Sequence, residues 1–189
     1  MDITNILITG VGGQGLVVAT KILAETAFRE GYDVKTSDVI GLSQRGGMVW
    51  GSVRFGKKVY SASMPKGQGD IMVAMERLEG LRWVKEMKEN AKIIMNNETT
   101  YPNRVLIEKE EYPEDIEEVL KNKSFEVIPV DAKELARKSG NIKTANIALL
   151  GVLSKYLPFK EESWVQVIKE NVPKSTIEVN ITAFDAARK

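Results

Sequence analysis

Apolar residues along this chain recur with two periods, and each predicts a different element. Residues 3–9 are a short apolar, β-branched run closed by Gly10, the pattern of a buried parallel strand. Over residues 15–29 the period changes. Leu16, Ala19, Leu23 and Ala27 recur at spacings of three and four, which predicts a helix packing one face on a sheet. Gly31 follows, where a glycine commonly ends a helix. Residues 32–36 form a second short strand, so the chain opens as a β-α-β unit. Residues 48–55 read as a strand, Gly56-Lys57-Lys58 as a turn and residues 59–62 as a returning strand, together an antiparallel hairpin. Further strands are predicted at 70–75, 91–96 and 125–130. Helices are predicted at 76–89, 112–121, 132–139, 144–156, 161–171 and 175–188. The helix from Thr144 is small and apolar throughout, so it reads as central and buried. There is no repeat, low-complexity run or linker, and the whole length, 1–189, reads as one domain.

Between the first strand and the first helix lies Gly10-Val11-Gly12-Gly13-Gln14-Gly15. Its G-x-G-x-x-G spacing, after a strand and opening a helix, is the context of a phosphate-binding turn. Two roles fit the string. Backbone N–H groups at the helix start can face a phosphate or carboxylate. Equally, the glycines can serve only a tight turn and close helix–sheet packing. Gln14 is the odd element, because a phosphate-only loop has no need of an amide that both donates and accepts. With strands and helices alternating, the expected class is α/β. The expected architecture is a Rossmann-like, mostly parallel sheet with flanking helices and an inserted antiparallel hairpin. That hairpin stands where a dinucleotide-binding domain has a crossover helix. Asp38 falls near the position of a ribose-binding acid, but the hairpin argues against NAD, and Asp38 is assigned to ordering its loop.

Composition narrows the chemistry. The chain contains neither cysteine nor histidine. Disulfides, thiolate-held iron–sulfur clusters, a cysteine nucleophile, a Ser-His-Asp triad and a His-ligated zinc site are therefore excluded within it. The net charge of +1, with both signs interspersed, gives no stripe to track a nucleic-acid backbone. No apolar stretch reaches the roughly 20 residues of a membrane span, and no leader pattern precedes the first strand, so a cytoplasmic location is expected.

Two more segments carry candidate chemistry. In Ser43-Gln44-Arg45-Gly46-Gly47 an arginine sits between a polar pair and two glycines. That setting suits bidentate recognition of a carboxylate or phosphate, with close approach of a backbone or ligand. Met75-Glu76-Arg77-Leu78-Glu79-Gly80-Leu81-Arg82 places acids at a helix start and arginines within pairing distance along its face, which reads as structural. Asn146, polar on an apolar helix, reads as the partner of a buried backbone group.

The motifs stand in one order: the glycine string after the first strand, Gln44-Arg45-Gly46-Gly47, Gly69-Asp70 with residues 75–79, and the Asn146 to Gly151 segment. Over essentially its whole length the chain resembles the gamma-domain family of the 2-oxoacid:ferredoxin oxidoreductases. The Gln44-Arg45-Gly46-Gly47 form and the Glu76, Glu79, Leu81 and Arg82 pattern resemble the beta subunit of its indolepyruvate ferredoxin oxidoreductase branch rather than the pyruvate branch. The resemblance implies a subunit of an enzyme that converts an aryl pyruvate and coenzyme A to an aryl-acetyl-CoA and carbon dioxide while reducing ferredoxin. It further implies that thiamine diphosphate and iron–sulfur clusters reside in a large alpha subunit, with no cofactor held by this chain alone. No catalytic residue and no metal ligand is assigned here. The expected ligand or interface residues are Gly10, Gly12, Gly13, Gln14, Gly15, Ser43, Gln44, Arg45, Gly46 and Gly47. Rival classes are a free-standing nucleotide-binding enzyme, a non-catalytic scaffold, and the gamma subunit of a pyruvate or 2-oxoglutarate oxidoreductase.

Overall fold

The computed structural model describes residues 3–40, 47–101, 105 and 111–189. Strand β1 (Thr4–Val11) leads through the glycine string into helix α1 (Leu16–Arg29). Strands β2 (Asp33–Ile40), β3 (Met48–Gly56) and β4 (Gly69–Ala74) follow, then helix α2 (Arg77–Trp83) and strand β5 (Met87–Asn96). Helix α3 (Ile116–Asn122), strand β6 (Glu126–Val130) and helices α4 (Ala132–Lys138), α5 (Ala145–Ser154), α6 (Glu161–Asn171) and α7 (Ile177–Arg188) complete the described elements. The six strands form one sheet in the order β2-β3-β1-β4-β5-β6. Strands β1, β4, β5 and β6 are parallel, while β3 runs antiparallel to both β1 and β2.

Strand alternation divides the core. Ile6 and Ile8 of β1 face α1, α5, α6 and α7, whereas Leu7 joins Met72 and Ala74 in the cluster under α2 and α3. Helix α1 buries Leu16, Ala19, Ile22, Leu23 and Ala27, the stripe its sequence period predicts. Its end is the glycine stop expected: Gly31 has φ 87°, and its N–H donates to the Phe28 carbonyl at 2.9 Å. Because the helices after β1 and β4 lie on opposite faces, these adjacent parallel strands form a topological switch point, where α/β sheets open a crevice.

The expected class holds, but three element assignments need correction. Residues 59–62 form no returning strand. Both edges of β3 are already occupied, by β1 and β2, so the antiparallel hairpin is β2 with β3. Val59 is instead held by its N–H donating to Asp33 Oδ2 at 2.9 Å. The helix predicted at 76–89 stops at Trp83, passes through a 3-10 turn and becomes β5 at Met87. The run Lys85-Glu86-Met87-Lys88-Glu89 offers one apolar side chain and no helical stripe to bury, and Asn90 has φ 61°. The helix predicted from Tyr112 begins at Ile116, after Pro113. Asp38 also lies inside β2 rather than in a loop.

Candidate functional site

The crevice at the switch point is a cleft of about 450 Å³. Its walls include Gly13, Gln14 and Gly15 from the loop after β1, Met75 after β4, Asn96 and Glu98 at and beyond the end of β5, and Lys143 and Asn146 before and in α5. The strands thus bring together residues that are far apart in sequence.

Side-chain amides fix the glycine loop. Gln14 Oε1 accepts the Val11 N–H at 2.9 Å, and Gln14 Nε2 donates to the Met75 carbonyl at 3.1 Å. Asn96 Nδ2 donates to the same carbonyl at 3.2 Å. Asn146 Nδ2 donates to the Gly15 carbonyl at 3.2 Å, the backbone-satisfying role its sequence setting suggests. Two glycines are required by these contacts. A Cβ on Gly10 would stand 2.6 Å from Gln14 Oε1, and one on Gly15, whose φ is 75°, would stand 2.6 Å from Asn146 Nδ2. The start of α1 carries no side-chain cap and no acid in its first turn, so its N–H dipoles face the cleft side without a resident negative charge.

Of the second predicted segment, Ser43, Gln44, Arg45 and Gly46 lie outside the described residues. Gly47 is described, and its carbonyl accepts the Gly12 N–H at 2.8 Å, which joins the two motifs at one point. Asp38 is separated from the glycine loop because β3 is inserted between β1 and β2. At a strand spacing of about 4.8 Å, β2 lies roughly 10 Å from β1, away from the place of a ribose acid.

Lys143 and Asn96 were not singled out by sequence reasoning. Lys143 is exposed on the cleft wall, and its N–H is held by Asn141 Oδ1 at 3.0 Å. Glu98, the acid on that wall, is paired with Lys133 at 2.5 Å. The wall therefore keeps a cation while its carboxylate is balanced. No pattern of spacing links Lys143 to the glycine string; only the fold does.

Behind the cleft lie the acids of the third motif. Glu76 caps α2: its Oε2 accepts the Glu79 N–H at 2.8 Å and its Oε1 accepts the Tyr112 hydroxyl at 2.6 Å. Burial pushes the Glu76 carboxyl above its ordinary value, and it pushes the Tyr112 phenol up as well. Glu79 pairs with Arg82 at 2.5 Å. The cap at the helix start and the Glu79–Arg82 pair are the contacts expected of this segment, while Arg77 reaches the Glu114 carbonyl instead of an acid.

The family model described as pyruvate ferredoxin/flavodoxin oxidoreductase matches residues 5–189. The chain belongs to this family. Within the family it is 38% identical over 186 residues to the indolepyruvate oxidoreductase subunit IorB of Thermococcus kodakarensis, covering 96% of this chain and 92% of that one. To the pyruvate/ketoisovalerate oxidoreductases common subunit gamma of the same organism it is 29% identical, over 94% and 91% of the two chains. The fold is also similar to part of the 2-oxoglutarate:ferredoxin oxidoreductase from Magnetococcus marinus, a structure with 2-oxoglutarate, coenzyme A and succinyl-CoA bound. That comparison has a TM-score of 0.78 at 18% identity and covers all of this chain but 31% of the other. Among the described residues no helix is long and apolar enough to cross a membrane.

Proposed function

We propose that this chain is the small subunit of an indolepyruvate (aryl pyruvate) ferredoxin oxidoreductase. The complex oxidatively decarboxylates a 2-oxoacid with CoA, giving an acyl-CoA and carbon dioxide and passing the electron pair to ferredoxin. The observation that carries this reading is the end-to-end similarity to an indolepyruvate oxidoreductase subunit, higher than to the common gamma subunit of the same organism.

The donor chemistry of the chain agrees with a division of labour. It has no cysteine or histidine, and among the described residues no three Asp or Glu are grouped to hold a metal. Iron–sulfur clusters, and with them thiamine diphosphate, are assigned to a large alpha subunit. The loop from Gly12 to Gly15 and the segment 43–47 form this chain's contribution to a shared site, at the CoA or substrate end. Arg45 pairs there with an anionic group. The rim of the cleft supports a partner. Val17, Val18, Met48, Tyr101 and Ile142 are five of the eight large apolar side chains exposed among the described residues, and all lie at or beside this edge of the sheet. Such clustering marks an interaction surface.

The test is anaerobic isolation of the complex followed by kinetics. A cysteine-rich partner bearing thiamine diphosphate and iron–sulfur absorbance is expected to accompany the chain. Arg45→Ala in that complex is expected to raise KM for CoA or the 2-oxoacid about tenfold, the loss of one charge-assisted hydrogen bond. An unchanged KM with intact assembly would leave only a scaffold role. A lone chain retaining a nucleotide would overturn the reading.

A further inference from the structure

Beside the glycine-loop cleft a groove of about 230 Å³ runs between the first turn of α1, the turn that leads into α5 and the connection from α6 to α7. It shares Lys143 and Asn146 with the cleft and is otherwise lined by different residues. Its apolar strip is made by Val18, Ile147, Val172 and Pro173. Val18 stands 38% exposed there.

The polar lining is marked by what it leaves free. Asn146, Asn171 and Asn180 each use the amide nitrogen within the chain. Asn146 Nδ2 donates to the Gly15 carbonyl, Asn171 Nδ2 to the Val167 carbonyl at 3.0 Å and Asn180 Nδ2 to the Thr176 carbonyl at 2.7 Å. No described residue donates to any of the three Oδ1 atoms, and none of these oxygens is sealed from solvent. Asn180 is the clearest case, because the residue as a whole is only 7% exposed and stands on the groove wall. Buried polar groups are ordinarily paired. Water can meet this oxygen in the free chain, but an occupant that displaces the water has to supply an N–H or O–H in its place. Asn141 has the reverse polarity: its Oδ1 accepts the Lys143 N–H, and its Nδ2 makes no bond to a described residue. Lys143 has no acid partner among the described residues. Acceptors and donors therefore both line an apolar strip. A purely apolar ligand would leave them unpaired, and an anion would meet three amide oxygens. A peptide backbone, with N–H and C=O groups alternating around an apolar side chain, matches all three features.

We propose that this groove docks an extended, uncharged polypeptide segment with one apolar anchor side chain, and that the segment belongs to the large subunit. The anchor packs against Val18, Ile147 and Val172, and backbone N–H groups beside it donate to Asn171 and Asn180. The assignment to the large subunit rests on the reading of this chain as a small subunit. It agrees with the position of the groove, whose Val18 and Lys143 are chain neighbours of the exposed Val17 and Ile142.

The test is assembly of the full chain with the large subunit, followed by sedimentation over a concentration series and by steady-state kinetics. Val18→Phe puts a larger side chain into the groove and is expected to weaken association about tenfold or more. Lys169→Phe adds the same ring at an exposed position of α6 outside the groove and should leave association unchanged. Asn180→Leu removes the acceptor at similar volume and should weaken association about fivefold. A thermal melt of the isolated chain reports what the lost bond to Thr176 costs the fold, and Val18→Phe carries the test if Asn180→Leu does not fold. Assembly of both groove variants like the wild type would overturn the proposal and leave the small-subunit reading standing. Loss with Val18→Phe alone, beside a folded Asn180→Leu that assembles normally, would leave an apolar contact without backbone bonds and overturn the extended segment. Normal assembly of Val18→Phe with a raised KM for CoA or the 2-oxoacid would put substrate in the groove and overturn a polypeptide occupant. A chain that binds no large subunit would overturn both the docking and the small-subunit reading.

Discussion

Gln14 shows what one residue does in this site. An amide in a glycine-rich loop is a surplus group if the loop only cradles phosphate. In the fold it is a two-ended tie, accepting from Val11 and donating to the Met75 carbonyl. Gln14→Ala leaves the buried Val11 N–H without its acceptor, while Asn96 still serves Met75. The expected cost is about 1–3 kcal/mol, read as a lower urea midpoint at unchanged slope. Glu76 carries a different signature. Burial raises its carboxyl above the ordinary 4.5, with Glu79 adding to the rise and the Tyr112 and Glu79 hydrogen bonds opposing it. The folded protein therefore keeps this proton to higher pH than the unfolded chain. The Glu76 contribution to stability is full below the ordinary value and falls as pH rises through the raised one. Glu76→Gln cannot titrate, so its stability should decline less than the wild type's across a pH series of urea melts from about 4 to about 8. A parallel decline in both proteins would show that another group carries the slope. The sequence made Gln14 visible as an oddity and Glu76 as a helix opener. Lys143 was hidden, because its place on the cleft wall depends on α5 returning to the loop after β1.

At the scale of elements, periodicity located most strands and helices but could not say which strands pair. Residues 48–55 were recognisable as a strand, and Gly56-Lys57-Lys58 looked like a hairpin turn. Pairing is settled by edges, and β1 and β2 take both edges of β3 before residues 59–62 can compete. Arg54 donates to the Ser61 and Ser63 carbonyls of that segment, and Asp33 holds its start, accepting the Val59 N–H and pairing with Lys35 and Lys58 at 3.1 and 3.3 Å. These contacts, led by the Val59 N–H, lower its pKa from 3.8 to about 2. A depressed carboxyl stabilises above its ordinary value, and the benefit is lost as pH falls towards about 2. Asp33→Asn should loosen the start of the segment around Lys58 and Val59 and speed tryptic cleavage after Lys57 and Lys58 at neutral pH, with no change in the far-UV spectrum. Gly151 tests the packing of α5 on α7. Glycine inside an exposed helix costs about 1 kcal/mol relative to alanine, so propensity alone predicts that Gly151→Ala stabilises. Here an added Cβ would meet the Phe184 carbonyl and come within 2.9 Å of Ala187 Cβ. The two helices would have to separate, and a net loss of about 1–3 kcal/mol is expected. The sign of the change in Tm decides between the two effects.

For the whole molecule, the question is why a chain with a well-filled core leaves apolar side chains around its cleft. Ile6, Ile8, Ile94, Leu150 and Trp164 are essentially inaccessible, so the core does not lack apolar residues or room for them. Yet Val17, two residues beyond Gly15 in the first turn of α1, and Ile142, in the cleft wall, remain 46% and 47% exposed. Scattered exposed apolar residues need no explanation, but several of them near one crevice at the sheet's switch point do. If the large subunit closes over this edge, Val17→Asp and Ile142→Asp act on assembly and not on folding. Neither residue is buried, so each substitution should change the stability of the isolated chain by no more than about 0.5 kcal/mol. In the complex, each places a carboxylate in a desolvated contact and should weaken association about tenfold or more, measured by sedimentation over a concentration series. Phe28→Asp is the matched control. Its side chain is 73% exposed at the far end of α1, and the same substitution there should leave association unchanged. Equal loss at all three positions would point to a general effect of added charge. Loss confined to Val17 and Ile142 would locate the partner at the cleft, where a site shared between two chains has to be.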